Sequence, residues 1–319
     1  MSRVLVTGAT GFAGGHLLEH LAKAHDVVGW ARHDPPAALA SLAGWQRIDL
    51  LDRNAVRAGI SALKPRAVYH LAGVTRVETS WSHPALALEG NIIATHYLLD
   101  ALRRAHVKCR VLVTGSATIY APSDTPIREN APIAVDSPYA ISKLAQEELA
   151  LRATREDDLE IIVTRSFNHT GPRQEPVFVT ASIARQLALI ERGGMAPVLR
   201  LGNLDAQRDL TDVRDVVRAY VSLMNSGTPG EIYNVASGVG RTVRAIVDAL
   251  VRRASVGVDI EVDPAKLRPL DKPVLIGDST RLRAATGWQP QVSFDQLVRR
   301  MVDADVKRLS GKPGIGTRG

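Results

Sequence analysis

A chain of 319 residues is long enough for two domains, or for one large domain with an elaborated lobe, and its 45% hydrophobic and 23% charged residues exclude disorder, collagen-like repeats and coiled coil. The formal net charge of +7 lies almost wholly in the second half: residues 1–165 carry 18 basic and 17 acidic side chains, and residues 166–319 carry 22 and 16. A single cysteine, Cys109, excludes an intrachain disulfide framework and a Cys-based zinc site and points to a reducing compartment, so a cytoplasmic protein is expected. No apolar run approaches the ~18 residues that span a bilayer, and no membrane association is expected.

In chain order, Arg3–Thr7 is a short apolar run, Gly11–Lys23 has helical periodicity and Asp26–Ala31 is a second apolar run. Strands are predicted at Gln46–Ile48, Ala67–His70, Val111–Thr114 and Ile161–Thr164, with helices at Arg53–Leu63, Pro84–Ala105 and Ser137–Ala153 between them. Strands alternating with helices imply right-handed crossovers and an α/β fold: a doubly wound parallel sheet of Rossmann type, whose ligands sit at the carboxyl ends of the strands. After Arg165 the rhythm is broken by Pro172, Pro176, Gly193, Gly194, Pro197 and Gly202, as expected for a smaller C-terminal substrate lobe. Helices still fit Phe178–Glu191, Asp212–Met224 and Thr242–Arg253, and a strand fits Glu231–Val235. The division expected is a cofactor domain over residues 1–165 with 212–253 packing back on it, a substrate lobe over 166–211 and 254–305, and a frayed tail over 306–319.

Chemistry concentrates at three places. Gly8, Gly11 and Gly14 form a Gly-x-x-Gly-x-x-Gly turn after the first strand and open a helix, the arrangement in which backbone N–H groups at a helix N-terminus receive a pyrophosphate. The tip of the second strand, Trp30-Ala31-Arg32-His33, lacks the acid that would read a ribose 2′-hydroxyl and offers Arg32 instead, which favours NADP(H) while leaving NAD(H) possible. Asp49-Leu50, after the third strand, could meet the adenine edge or simply cap a helix. The second place is Tyr139-Ala-Ile-Ser-Lys143. Tyr and Lys at i and i+4 share a helix face, so the ammonium is expected to depress the phenol pKa and make Tyr139 an acid or base for a carbonyl/alcohol pair. The third is Thr114-Gly115-Ser116, at the carboxyl end of a strand, where Ser116 can hydrogen-bond the same substrate oxygen.

The glycine turn, Ser116 and Tyr139/Lys143 in this order and spacing resemble the extended short-chain dehydrogenases/reductases. The strings Ser166-Phe167-Asn168-His169-Thr170-Gly171-Pro172-Arg173-Gln174, Phe178-Val179-Thr180, Leu201 to Asp209 and Leu267-Arg268-Pro269 are similar to the branch that holds GDP-mannose 4,6-dehydratases and GDP-6-deoxy-4-keto-mannose reductases. The resemblance implies cofactor contacts from Gly8, Thr10, Gly11, Phe12, Gly14, Arg32, Asp49, Leu50, Leu71, Ala72, Tyr139 and Lys143. It implies substrate contacts from Thr75, Ser116, Asn168, Arg173, Val179, Arg208 and Arg268, and a homodimer formed through helices 84–105 and 137–153; the nine histidines show no metal-ligand spacing, and no metal is expected.

One departure discriminates within that branch. The dehydratase pattern has a glutamate two residues after the catalytic Ser/Thr, and this chain has Thr118, a hydroxyl far too weak a base for elimination. Reduction of a GDP-4-keto-6-deoxyhexose is therefore expected. A nucleotide-sugar 4-epimerase is the alternative, disfavoured by Arg32, and a non-catalytic nucleotide-sensing or nucleic-acid-associated protein is disfavoured by the intact Ser116/Tyr139/Lys143 set.

Overall fold

The computed structural model describes residues 3–254, 256–266 and 273–310. Its elements run β1 (Arg3–Thr7), α1 (Phe12–Leu21), β2 (Asp26–Ala31), β3 (Gly44–Arg47), α2 (Arg53–Leu63), β4 (Ala67–His70), α3 (Val77–Ser82), α4 (Pro84–Leu88), α5 (Ala94–Arg104), β5 (Arg110–Ser116), α6 (Pro138–Glu156) and β6 (Glu160–Ser166). They continue with β7 (His169–Thr170), α7 (Val179–Glu191), β8 (Val198–Leu201), β9 (Gln207–Asp209), β10 (Thr211–Asp212), α8 (Val213–Ser226), β11 (Ile232–Val235), β12 (Gly240–Thr242), α9 (Val243–Arg253), β13 (Asp259–Val262), β14 (Val274–Leu275), α10 (Thr280–Thr286) and α11 (Phe294–Ser310).

Six strands of the first half, joined by β11 from the second, build a parallel sheet in the spatial order β11-β6-β5-β4-β1-β2-β3. Chain direction across the sheet reverses between β1 and β4, the crevice where doubly wound folds receive ligands. The central strands are apolar on both faces because both are covered. Leu5, Trp30, Val68, Val111 and Val163 pack with α2, α5 and α6, and Val4, Val6, Tyr69, Leu112 and Ile162 pack with α1 and α8. Truncating Leu112, fully buried at the sheet centre, to alanine costs about 2–5 kcal/mol.

Helix 84–104 is interrupted once, by a π-helical turn at Glu89–Ile93 between α4 and α5. Such turns are rare and frequently mark functional sites; here the widened turn carries the buried Asn91.

Two expected boundaries shift. β11 joins the sheet beside β6 and α8 packs under it, but α9 leaves: Val243, Ile246, Val247 and Leu250 bury with α7 and α11 in the lobe core. Residues 212–253 therefore do not pack back as one block, because β11 completes the sheet edge and no further strand calls for a covering helix. Leu282 and Trp288 instead return to the sheet core from the end of the chain. The last helix runs to Ser310, and Val306 packs against the lobe core, so residues 306–310 continue α11 instead of starting a tail.

Candidate active site

Backbone geometry explains the glycines. Gly8 has φ +67, and a Cβ there would lie 2.7 Å from the Ala72 backbone nitrogen, so only glycine lets β1 turn beside the end of β4. A Cβ on Gly14 would lie 2.2 Å from the Gly8 carbonyl oxygen, which fixes how closely α1 approaches the strand. The turn is closed by Gly11 N–H donating to Gly8 O at 2.9 Å. Helix α1 begins at Gly11 with no side-chain cap and no acid in its first turn, whereas Asp52, Ser137, Asp212 and Thr242 cap α2, α6, α8 and α9. An N-terminus with free donors and no competing carboxylate fits a dinucleotide pyrophosphate. Phe12 supplies its backbone to this turn, while its ring stacks on His169 at 6.1 Å and meets His16 edge-on at 5.6 Å.

At the tip of β2, Arg32 is exposed, and Arg47 from β3 donates Nε–H to the Arg32 carbonyl at 2.9 Å, bringing a second guanidinium to the same corner. Arg47 is not visible as a site residue in the sequence, since only the β2–β3 register, in which Ala31 pairs with Arg47, brings it there. Asp49 accepts from Leu51 N at 3.0 Å and so organises the turn into α2. The Leu50 side chain is buried in the sheet core and can offer a ligand only its backbone. Leu71 and Ala72 continue β4 past the glycine turn, and Leu71 N–H donates to Thr7 O at 3.2 Å.

The candidate catalytic set converges at the carboxyl end of β5. Ser116 ends that strand; its Oγ lies 3.0 Å from Thr118 Oγ1, and it is close enough to the buried Tyr139 hydroxyl to lower that group's pKa. Ser137 caps α6 by accepting from Ala140 N at 3.2 Å, with Pro138 pre-set at the first turn, and this start angle aims Tyr139 and Lys143 at the strand end. Lys143 Nζ donates to Thr114 O at 2.9 Å and to Gln146 Oε1 at 2.8 Å.

Burial, uncompensated by any carboxylate, lowers the Lys143 pKa to about 8. Tyr139 goes the other way from the expected depression: burial raises its pKa, and the Ser116 hydrogen bond offsets this only in part. The i,i+4 spacing does place both groups on one helix face, but burial is the dominant influence on the phenol, so Tyr139 is protonated at neutral pH. Asn91, which no sequence pattern singles out, accepts from Val74 N at 2.8 Å and donates to Ser142 Oγ at 2.8 Å, pinning the loop after β4 to α6.

Of the residues expected to meet substrate, Thr75 and Asn168 are exposed on loops after β4 and β6, and Val179 is exposed at the start of α7. Arg208 lies half-buried on β9 with Nη1 donating to Gln207 O at 2.8 Å. Arg268 lies outside the described residues. The Arg173 guanidinium pairs with both oxygens of Glu19 on α1, at 2.7 and 3.0 Å, and donates to His16 at 2.9 Å, so it ties the 171–175 loop to α1. Asp209, buried, is satisfied by Ser237 N, Ser237 Oγ, Gly238 N and Gly277 N, so it closes loops. Among the described residues no cluster of three or more His, Cys, Asp or Glu side chains could hold a metal.

Residues 5–301 match the family model described as GDP-mannose 4,6 dehydratase. The chain belongs to that family. It is 36% identical over 303 residues to the GDP-6-deoxy-D-mannose reductase of Pseudomonas aeruginosa, covering 94% of this chain and 96% of that protein. Identity to GDP-mannose 4,6 dehydratase 2 of Arabidopsis thaliana is 31%, with 95% and 86% covered. The solved structure of RMD from Pseudomonas aeruginosa complexed with NADPH superposes with a TM-score of 0.86 at 34% identity, over 97% of this chain and 100% of that one. A Thermus thermophilus UDP-glucose 4-epimerase complexed with NAD superposes with a TM-score of 0.85 at 28% identity, over 95% and 98%. The chain is thus an NAD(P)-dependent enzyme of the extended short-chain dehydrogenase/reductase type with a Rossmann sheet.

Proposed function

We propose that this family member is an NADP(H)-dependent reductase of a GDP-linked 4-keto-6-deoxyhexose, reducing its C4 keto group to give GDP-6-deoxy-D-mannose (GDP-D-rhamnose) or the C4 epimer. Thr118 carries this reading. Its hydroxyl stands 3.0 Å from Ser116 Oγ, at the position where dehydration would need a carboxylate base. Glu147, one turn along α6 from Lys143, cannot substitute, because it is buried in a two-point pair with Arg165 at 2.5 and 2.9 Å. Hydride transfer needs no such base.

The nicotinamide, when bound, supplies the hydride. Tyr139, kept protonated by burial, donates its proton to the C4 oxygen as negative charge develops there, and Ser116 hydrogen-bonds the same oxygen. Lys143, charged at neutral pH, offsets the phenolate that Tyr139 becomes. The N-terminus of α1, with Gly8, Thr10, Gly11, Phe12 and Gly14 around it, receives the pyrophosphate, and Arg32 with Arg47 receives the 2′-phosphate. Thr75, Asn168, Val179, Arg208 and Arg268 serve the sugar nucleotide.

The 4-epimerase alternative draws on the shared fold, but an enzyme that retains NAD has no use for two guanidiniums at the ribose corner. NADPH consumption at 340 nm with enzymatically prepared GDP-4-keto-6-deoxymannose is the deciding experiment. Absence of oxidation defeats the reductase reading, and conversion of GDP-mannose to a 4-keto product favours dehydration.

The protein is further proposed to act as a homodimer, because Leu86, Leu88 and Ile93 on helix 84–104 and Ile141 on α6 leave exposed apolar side chains there. Light scattering on the purified chain checks it. A cytoplasmic location is proposed from the lone, buried thiol of Cys109; among the described residues no helix is long and apolar enough to cross a membrane.

A further inference from the structure

Behind Lys143 runs a chain of buried polar side chains that the reaction itself does not use. Lys143 Nζ donates to Gln146 Oε1 at 2.8 Å, Gln146 Nε2 donates to Thr95 Oγ1 at 2.8 Å, and Thr95 Oγ1 donates to Asn91 O at 2.6 Å. From the other side Thr7 Oγ1 lies 2.7 Å from His70 Nδ1, and His70 Nε2 lies 2.8 Å from Thr95 Oγ1. Thr7, His70, Asn91, Thr95 and Gln146 are all wholly buried.

Every proton in this chain is determined by elimination. A backbone carbonyl can only accept, so the Thr95 hydroxyl proton points at Asn91 O, and Thr95 Oγ1 must accept from both of its other neighbours. His70 therefore carries its proton on Nε2 and accepts from the Thr7 hydroxyl on Nδ1. Burial and the Lys143 charge hold His70 neutral, with a pKa lowered to about 3. Gln146 must turn its NH2 to Thr95 and its carbonyl oxygen to Lys143; the flipped amide would set NH2 against an ammonium and leave Thr95 with one proton for two acceptors.

We propose that Gln146 is a positioning residue for the reaction, fixing the direction of the Lys143 ammonium, and that Thr95, oriented by Asn91 and His70, locks Gln146 and so ties the catalytic lysine to Thr7, the residue before the cofactor turn. The chain is a clamp and not a proton relay, because its hydrogen bonds run inward, from Lys143 through Gln146 and from Thr7 through His70 to Thr95, and end on the Asn91 carbonyl, which only accepts. The inference rests on the reductase reading only in that Lys143 must serve the reacting centre. The titratable groups around Lys143 are Tyr139 and Glu147 on its own helix and His70 on β4; Glu147 is neutralised by Arg165 from β6, and His70 is uncharged, so Gln146 is the adjustable neighbour.

The test uses the full chain with Gln146→Leu and Gln146→Glu. Gln146→Leu removes an acceptor that favours the charged amine, so kcat falls about 10–100-fold with KM little changed, and the alkaline limb of the kcat profile moves to lower pH. Gln146→Glu supplies a carboxylate and moves that limb to higher pH. The chain has eight lysines, so the Lys143 side-chain nitrogen can be followed by NMR after assignment with a Lys143 variant, and its titration should shift in opposite directions in the two variants without any substrate present.

A Lys143 titration and a kcat profile unmoved in both variants overturn the proposal, whatever happens to Tm. Opposite NMR shifts in a protein that oxidises no NADPH would uphold it while defeating the reductase reading. Should Gln146→Leu not fold, Thr95→Val reports on the same link, with kcat lowered and restored by Thr95→Ser; equal activity of the Val and Ser variants overturns the proposal.

Discussion

The proposed cofactor side and the proposed substrate side of the site are built from different materials. On the cofactor side the donors are backbone N–H groups at an uncapped helix, held by glycines whose replacement would drive a Cβ to within 2.2–2.7 Å of neighbouring main chain. On the substrate side the candidate donors are arginine side chains on loops and a short strand, and one of them, Arg173, is taken by Glu19. Backbone donors cost little entropy to orient because the turn is already closed, whereas a guanidinium on four rotatable bonds goes to whatever carboxylate the fold brings near. The cofactor side is thus pre-formed, and the substrate side leaves room for specificity to vary.

The sharpest way to break the comparison is at the point where both sides meet. Tyr139→Phe should lower kcat about 10²–10⁴-fold while NADPH affinity, measured by fluorescence quenching, stays unchanged, since the cofactor side does not rely on the phenol. Turnover retained in that variant would remove Tyr139 as the acid. Next in size, the Arg32→Ala/Arg47→Ala double variant should weaken NADPH about 10–100-fold more than NADH, by loss of charge-assisted bonds to the 2′-phosphate. Equal losses for both cofactors would put the 2′-phosphate elsewhere.

Lys143 gives a stability prediction whose sign runs against intuition. Its folded pKa of about 8 lies below the ordinary lysine value of 10.5, so at pH 7 keeping the amine charged costs the folded state free energy that the unfolded state is spared. Stability from this group therefore rises between about pH 8 and 10.5. Lys143→Met should raise stability at pH 7 by about 1–3 kcal/mol while abolishing turnover, with the gain shrinking above pH 8. Denaturant titration across that window checks it, and a loss of stability at pH 7 would contradict the burial argument. The smallest effect is expected at Arg173→Ala, whose half-exposed pair with Glu19 is worth up to about 1 kcal/mol. KM for the sugar nucleotide should not change, and a tenfold rise would mean that substrate draws Arg173 away from Glu19.

Legibility in the sequence follows how local the cause is. The glycine turn, the strand tips and Tyr139/Lys143 are readable because each is a short-range demand: a positive φ at Gly8, a close approach at Gly14, and an i,i+4 face on α6. Asn91 is not, since nothing in Glu89-Gly90-Asn91 announces a π turn, and its partners Val74 and Ser142 are distant in the chain. Arg47 needs strand register, and the place of α9 in the lobe core is not readable because an apolar stripe does not say which core it covers.

Taken alone, then, the order of residues determined the doubly wound sheet, the glycine turn and the shared helix face of Tyr139 and Lys143, because backbone sterics and helical periodicity act within a few residues. Tertiary structure decided what those groups are as chemical species. Burial, which no local pattern reports, leaves Tyr139 a protonated phenol and brings Lys143 down to about 8, and long-range pairing gives Arg173 to Glu19 and Gln146 to Thr95. Desolvation and competition for partners are properties of the packed chain.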